Sequence, residues 1–125
     1  MDSLGLRRCD TVKPYAEIAI AFASALVEGD FLRANTLLAP DLRRKLSPDA
    51  LRERLYAMFR GYADGGPRSI QFDNGQLDDW PAKLPGDVGW AYVGIIGDDF
   101  IEAVNVIVAD IDGKLLIRQV EWGRP

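Results

Sequence analysis

The chain of 125 residues has the length of one domain, and its composition, 48% hydrophobic and 27% charged, excludes a disordered or fibrous protein. No apolar run approaches the ~18 residues of a membrane span, and the first ten residues lack the apolar core of a signal peptide. The net charge of −4 and the scattered basic residues argue against a nucleic-acid partner, and the single cysteine agrees with a reducing, cytoplasmic location.

Residues 1–11 are expected to be disordered or loosely attached, and residues 12–125 to form a single domain. An apolar stripe at three- and four-residue spacing over residues 15–26 predicts a first helix, which Gly29 ends. A second helix is predicted over residues 31–38, after an aspartate that can cap it. Both helices are expected to bury one face.

A third helix has the clearest start signal in the chain. Ser47, Pro48 and Asp49 supply a hydroxyl cap, a proline in the first turn and a carboxylate at the positive end of the helix dipole. Residues 41–46, which precede it, predict a partial helical turn, and residues 63–67 end the helix.

The second half of the chain is rich in β-branched residues. It predicts four strands, over residues 69–77, 88–96, 100–108 and 115–122. In the last hairpin a type I turn with a bulge is expected to pair Asp110 with Lys114, with Gly113 at positive φ and the Asp110 side chain bonded to the turn backbone. The predicted fold is therefore α+β, with three N-terminal helices on one face of a mostly antiparallel, four-stranded sheet.

Strand alternation divides this sheet into a face that the helices cover and an outer face. In the expected register Val106 lies opposite Arg118, and Glu102 opposite Trp122, on the covered face. The outer face is too apolar for water, so we expect it to form a homodimer. Its interface candidates are Trp90, Tyr92, Asn105, Ile107, Ile117 and Gln119.

Two alternatives stay open for the outer face. Residues 78–87, the least ordered connection, or the N-terminal tail can cover it within one chain. A three-residue turn at residues 97–99, in place of a two-residue turn, would exchange the two faces of the second strand.

Polar side chains are costly to bury under helices. Glu102, Arg118 and Trp122 therefore indicate either a strand end in solvent or the mouth of a cavity. Tyr15 and Tyr62 can add hydroxyls to the same cavity, although core tyrosines with one hydrogen bond are commoner. These five residues are the candidates for binding a small apolar ligand.

The chain has no histidine, no phosphate-binding glycine loop and no zinc-ligand spacing, so neither a cofactor nor a metal is expected. Charge is divided unevenly. Residues 31–60 carry seven basic and three acidic side chains, whereas residues 61–125 carry five basic and eleven acidic ones. The helical layer should be positive and the sheet layer negative.

The order of elements, together with one sequence pattern, resembles a known superfamily. The pattern AFASALVEGDF at residues 21–31 is followed by Ala34, Leu37 and Leu38. It is similar to the opening of nuclear-transport-factor-2-like domains, among them ketosteroid isomerase, scytalone dehydratase and the SnoaL-like polyketide cyclases. The resemblance implies a cone-shaped, cystatin-like fold, a cavity between helices and sheet, and dimerisation through the other sheet face.

Three functions stay open, because this fold is reused for many purposes. The first is a dimeric module that binds a small ligand or a protein. The second is an acid–base isomerase, dehydratase or cyclase in which Glu102 and the tyrosines act on a small apolar substrate. The third is an immunity-type inhibitor whose acidic sheet side binds a basic partner.

Overall fold

The computed structural model describes residues 12–59, 66–98 and 100–123. Four helices precede five strands in this part of the chain, which confirms the predicted α+β class. The helices are α1 (Pro14–Glu28), α2 (Phe31–Thr36), α3 (Pro40–Lys45) and α4 (Pro48–Met58). The strands are β1 (Ser69–Gln71), β2 (Gln76–Leu77), β3 (Asp87–Ile96), β4 (Ile101–Ile111) and β5 (Lys114–Trp122). The expectation for residues 1–11 and most of the predicted helix end at residues 63–67 lie outside the described residues.

The helices begin where the sequence signals predict. Proline occupies the first turn of α1, α3 and α4, where its missing N–H costs no helical bond. The Asp30 carboxylate accepts from the Arg33 N–H, and the Ser47 hydroxyl from the Ala50 N–H, each at 3.2 Å. Gly29 follows α1 at φ +79°, a left-handed conformation that favours glycine. The partial turn expected over residues 41–46 is a helix of its own, α3.

The sheet is antiparallel, with the strand order β1-β3-β4-β5, and β2 pairs with β3 along the same edge as β1. The segment predicted as one strand, residues 69–77, is therefore divided into two. Gln71 lies opposite Gly94, whereas Gln76 lies opposite Ala91, and Asn74 between them takes φ +62°. An irregularity of this kind interrupts the hydrogen-bond ladder of the edge strand.

Strands β3 and β4 pair with Ile96 opposite Ile101. The Gly97 N–H donates to the Phe100 carbonyl at 3.0 Å, as a two-residue turn requires, and one residue of that turn, Asp99, lies outside the described residues. This register confirms the two-residue turn and excludes the three-residue turn at residues 97–99. It places Ala91, Val93 and Ile95 on the helix side of the sheet, where they are fully buried.

The predicted turn of the last hairpin is wrong by one residue. Ile111 pairs with Lys114, so the turn consists of Asp112 and Gly113 at φ +56° and +86°, a type I′ arrangement. The Asp110 carboxylate nevertheless accepts from the Gly113 N–H at 2.8 Å, as expected. Because aspartate tolerates the left-handed conformation, an Asp-Gly pair closes the hairpin without a third turn residue.

A β-bulge in β5 follows from this shorter turn. Val108 lies opposite Ile117, whereas Ile107 lies opposite Gln119, so Arg118 is the extra residue. Between the turn and the bulge, each residue of β5 lies on the sheet face opposite to the predicted one. Ile117 therefore points into the core, where it is 0% exposed, and its assignment to the outer face is wrong.

Beyond the bulge the expected alternation returns, but two predicted cross-strand pairs are wrong. Arg118 does not lie opposite Val106, and Trp122 does not lie opposite Glu102, because the shorter turn and the extra residue of the bulge each move the register by one position, two in all. The observed pairs are Val106 with Val120, Val104 with Trp122 and Ile95 with Glu102.

The core fills the space between the helices and one face of the sheet. Its largest fully buried side chains are Phe22, Leu26, Leu38, Leu51, Leu55, Val93, Ile95, Val104, Val106, Val108 and Ile117. The free edge of β5 is occupied at its middle: the Ala39 N–H donates to the Ile117 carbonyl at 2.7 Å, and the Ile117 N–H to the Leu37 carbonyl at 2.9 Å. None of the described helices combines the length and apolar character needed to cross a membrane.

Candidate functional site

The outer face of the sheet carries two rows of facing side chains. The rows are Trp90, Ile107 and Gln119, and next to them Tyr92, Asn105 and Glu121. Strand alternation predicts that these six residues share the outer face, and the strand register places them there. The Trp90 and Tyr92 ring centroids are 6.3 Å apart, so the two rings form one aromatic surface.

A pocket of about 160 Å³ lies against this surface. It is roofed by the connection between β2 and β3, residues 78–87, which we call the Trp80 loop. Trp80 begins a tight turn in which the Lys83 N–H donates to the Trp80 carbonyl at 3.1 Å, and Pro81 at the second position favours that turn. The pocket is lined by Trp80, Ala82, Trp90, Asn105, Ile107, Gln119 and Glu121.

The first end of the Trp80 loop is tied to α1. The Tyr15 hydroxyl donates to Asp78 Oδ1 at 2.7 Å, and Lys13 Nζ lies 3.4 Å from Asp78 Oδ2. Lys83 adds a bond from within the loop, since its ammonium donates to the Asp78 carbonyl at 2.7 Å. The Tyr15 ring lies over Gly89, where a Cβ atom would come within 2.3 Å of it.

The second end of the loop is tied to the bulge in β5. Arg118 Nε and Nη2 donate to the two carboxylate oxygens of Asp87 at 2.6 and 2.7 Å, a bidentate pair. The Asp87 side chain is only 1% exposed and also accepts from the Leu84 N–H at 2.9 Å. The bulge makes Arg118 available for this contact because the extra residue has no opposite partner on β4.

These ties perturb the ionisation of the groups that form them. Burial, and then the Asp78 carboxylate, raise the pKa of the Tyr15 phenol, so Tyr15 acts as a hydrogen-bond donor at neutral pH. The Tyr15 hydroxyl in turn lowers the pKa of Asp78. The Arg118 guanidinium lowers the pKa of Asp87, and that carboxylate raises the pKa of Arg118. The Asp78 and Asp87 carboxylates are therefore ionised at neutral pH.

Two N–H donors of the pocket residues have no hydrogen-bond partner within the described part of the chain. They are Asn105 Nδ2 and Trp80 Nε1, and both atoms are buried. Asn105 is 2% exposed and lies in an inner strand of the sheet, β4. Buried donors are nearly always bonded, because an unmade bond costs about 1–3 kcal/mol. The neighbouring polar pair is already occupied: Gln119 Nε2 donates to Glu121 Oε2 at 3.2 Å.

The five residues expected to line one cavity are not gathered into a single site. Tyr15 and Arg118 tie the two ends of the Trp80 loop. Trp122 lies on the helix side, where its ring centroid is 6.4 Å from the ring centroid of Phe22. Tyr62 lies outside the described residues.

Glu102 is distant from Tyr15. It lies opposite Ile95 and is half-buried, whereas the Tyr15 ring lies over Gly89, six residues away on β3. Six residues of extended strand span roughly 20 Å. The described residues therefore do not pair these two groups for acid–base chemistry.

Five of the six interface candidates lie on the outer face, and Ile117 does not. Asn105 and Ile107 are 2% and 8% exposed within a single chain, so that part of the face is already covered. At the pocket, the outer face is thus covered by residues 78–87, which was one of the two covers considered for it within one chain. Trp90, Tyr92 and Gln119 stay half-buried.

Sequence reasoning missed Trp80 and Ala82 as residues of the site. A usable signal was present: a tryptophan followed by proline inside a polar connection, between Asp78 and Asp87, is an apolar group held at a turn. No local sequence pattern indicates which residues bond to those two carboxylates, since Arg118, for example, is 31 residues from Asp87.

Comparisons of the chain with protein-family models, with curated proteins and with solved structures found no match.

Proposed function

We propose that this chain is a ligand-binding module and that its site is the pocket between the Trp80 loop and the outer face of the sheet. The observation that carries the proposal is the buried Asn105 amide, which lines the pocket and whose nitrogen has no partner among the described residues. Indole and aliphatic walls with a few polar groups are the usual composition of a small-molecule site.

The test is a fragment screen followed by NMR. The chain has three tryptophans, so the indole N–H signals of Trp80 and Trp90 can be assigned by exchanging each for phenylalanine and compared with that of Trp122. Binding in the pocket shifts the Trp80 and Trp90 signals and the Asn105 side-chain signals, and leaves Trp122 unchanged.

A matched pair of variants makes this test specific. Ala82→Phe fills the pocket from the loop and should abolish the shifts, whereas Ala57→Phe places the same ring on an exposed position of α4 and should preserve them. Fragment shifts that survive Ala82→Phe, or that appear only at Trp122, contradict the proposal.

A second proposal, the homodimer, is supported by the part of the outer face that the Trp80 loop leaves uncovered. Leu77 and Ile101 are 46% and 54% exposed. They pair with half-buried Trp90 and Ile96 on β3, which places all four on the outer face, one pair on each side of Tyr92 along the strand. An apolar patch with aromatic anchors is typical of an interface between proteins.

Light scattering after size-exclusion chromatography tests the dimer. Leu77→Asp should shift the mass toward the monomer, whereas Leu32→Asp should not, because Leu32 is 68% exposed on α2 in the helical layer. A monomeric wild-type chain at high micromolar concentration, or equal effects of both variants, would refute dimerisation through this face.

We also propose membership of the nuclear-transport-factor-2-like superfamily, with support from helices that precede an antiparallel sheet and pack on one of its faces. The acid–base alternative has less support, because Tyr15 is engaged with Asp78 and lies far from Glu102. The inhibitor alternative draws on exposed acids of the sheet layer such as Asp79 and Glu121 and predicts strongly salt-dependent binding. The cytoplasmic location is likewise a proposal, based on the single cysteine.

A further inference from the structure

We infer that the pocket takes an uncharged ligand with a single ring and an amide or other carbonyl group attached to it. This inference rests on the ligand-binding function proposed above and adds the chemical class of the ligand.

The size of the pocket limits the ligand to about one ring. Its volume is about 160 Å³, and protein cavities of about 150 Å³ accept benzene. Trp80, Trp90 and Ile107 provide flat or aliphatic walls against which a ring can pack. A fused three-ring or steroid-sized ligand would extend out of this space.

The polar groups of the pocket call for a hydrogen-bond acceptor on the ligand. Asn105 Nδ2 and Trp80 Nε1 are both donors, and neither has a partner in the described chain. A carbonyl oxygen is an acceptor with two lone pairs and can accept from either donor. An amide also brings an N–H, which matches the carboxylate of Glu121 on the pocket wall.

Charge considerations exclude ionised ligands of either sign. A carboxylate ligand would meet Glu121, while Arg118 already binds both oxygens of Asp87 and Lys83 Nζ already donates to the Asp78 carbonyl. An amidinium could pair with Glu121, but it has no acceptor atom and would leave the two donors of Asn105 and Trp80 unpaired. A neutral carbonyl compound has neither conflict.

Four probes of nearly equal size test this inference: benzamide, benzoate, benzamidinium and toluene. Each is titrated into the full chain, and dissociation constants are obtained from the Trp80 and Trp90 indole signals. We expect benzamide to bind at least about tenfold more tightly than the other three, the effect of one hydrogen bond made to a buried group.

Two variants identify the donors. Asn105→Leu removes the amide and should reduce benzamide affinity about tenfold without weakening toluene binding. Trp80→Phe keeps a ring but removes its N–H and should act in the same direction, and its position in a loop protects the fold. Ala82→Phe should block every probe, whereas Ala57→Phe should block none.

The outcomes separate the two proposals. Equal binding of benzoate or benzamidinium, or a benzamide preference that survives both Asn105→Leu and Trp80→Phe, overturns the inferred ligand class and leaves the pocket function standing. Binding of toluene alone would likewise overturn the inferred ligand class and leave the pocket function standing. If no probe or fragment shifts the Trp80 and Trp90 signals, both the ligand class and the proposed function are overturned.

Discussion

The ion pair between Asp87 and Arg118 is the single interaction that most firmly fixes the Trp80 loop. Its carboxylate is 1% exposed and its guanidinium side chain 25% exposed, so solvent screens it weakly. A second pair in the chain, Arg68 with Asp98, has similar contacts at 2.6 and 3.0 Å but side chains that are 68% and 48% exposed. The two pairs differ mainly in burial.

Asp87→Asn should therefore lower the free energy of unfolding by about 3 kcal/mol, because it leaves the Arg118 charge uncompensated in a largely buried position. Asp98→Asn should cost less than about 1 kcal/mol, since exposed pairs contribute little. Urea unfolding at neutral pH measures both. Equal losses in the two variants would show that burial does not set the strength of the Asp87 pair.

The same pair predicts part of the pH dependence of stability. Arg118 holds the pKa of Asp87 below its usual range, so the unfolded chain binds this proton more readily than the folded chain. The stability that Asp87 contributes is complete above the unfolded pKa of about 4 and is lost as the pH falls toward the folded value.

Between about pH 6 and about pH 3 the wild-type chain should lose more unfolding free energy than Asp87→Asn. Urea unfolding of both proteins at several pH values measures this difference, and the other carboxylates cancel in the comparison. Identical pH profiles for wild type and Asp87→Asn would contradict the assignment of the shift to the Arg118 contact.

At the scale of elements, the type I′ turn of the last hairpin depends on glycine. Gly113 has φ +86°, a conformation that costs other residues energy. Gly113→Ala should lower the unfolding free energy by about 1 kcal/mol. Gly66→Ala serves as the control, because the one contact that a Cβ there makes with the described residues is with the Tyr56 ring at 3.8 Å, an ordinary distance. Thermal unfolding compares the two, and a neutral Gly113→Ala would contradict the turn assignment.

The elements themselves could be predicted from local signals. Proline and capping residues determine where the helices begin, as at Ser47, and β-branched runs determine the strands. The length of the hairpin turn could not be predicted, because Asp112-Gly113 suits a two-residue turn and Gly113 also suits a three-residue turn with a bulge. The bulge at Arg118 depends on that choice and on a distant carboxylate, Asp87, which no local pattern indicates.

At the scale of the whole molecule, alternation along the strands correctly predicted that the outer face of the sheet is apolar. It did not predict the pocket that forms on this face. It indicated an apolar outer face, and the register puts Trp90, Tyr92 and Ile107 there. It could not show that a loop closes over part of that face, because the loop is positioned by tertiary ion pairs and hydrogen bonds. The expected site under the helices and the pocket in the structure therefore lie on opposite faces of one sheet.

The protected margins of the sheet limit how copies of this chain can assemble. Residues 37–39 occupy the free side of β5 at Ile117, and the opposite margin is interrupted between Gln71 and Gln76. Unbroken, unpaired strand backbone is what templates the addition of further chains in fibrils. Because neither margin of the sheet offers a long stretch of it among the described residues, the sheet edges are poor templates for the addition of further copies.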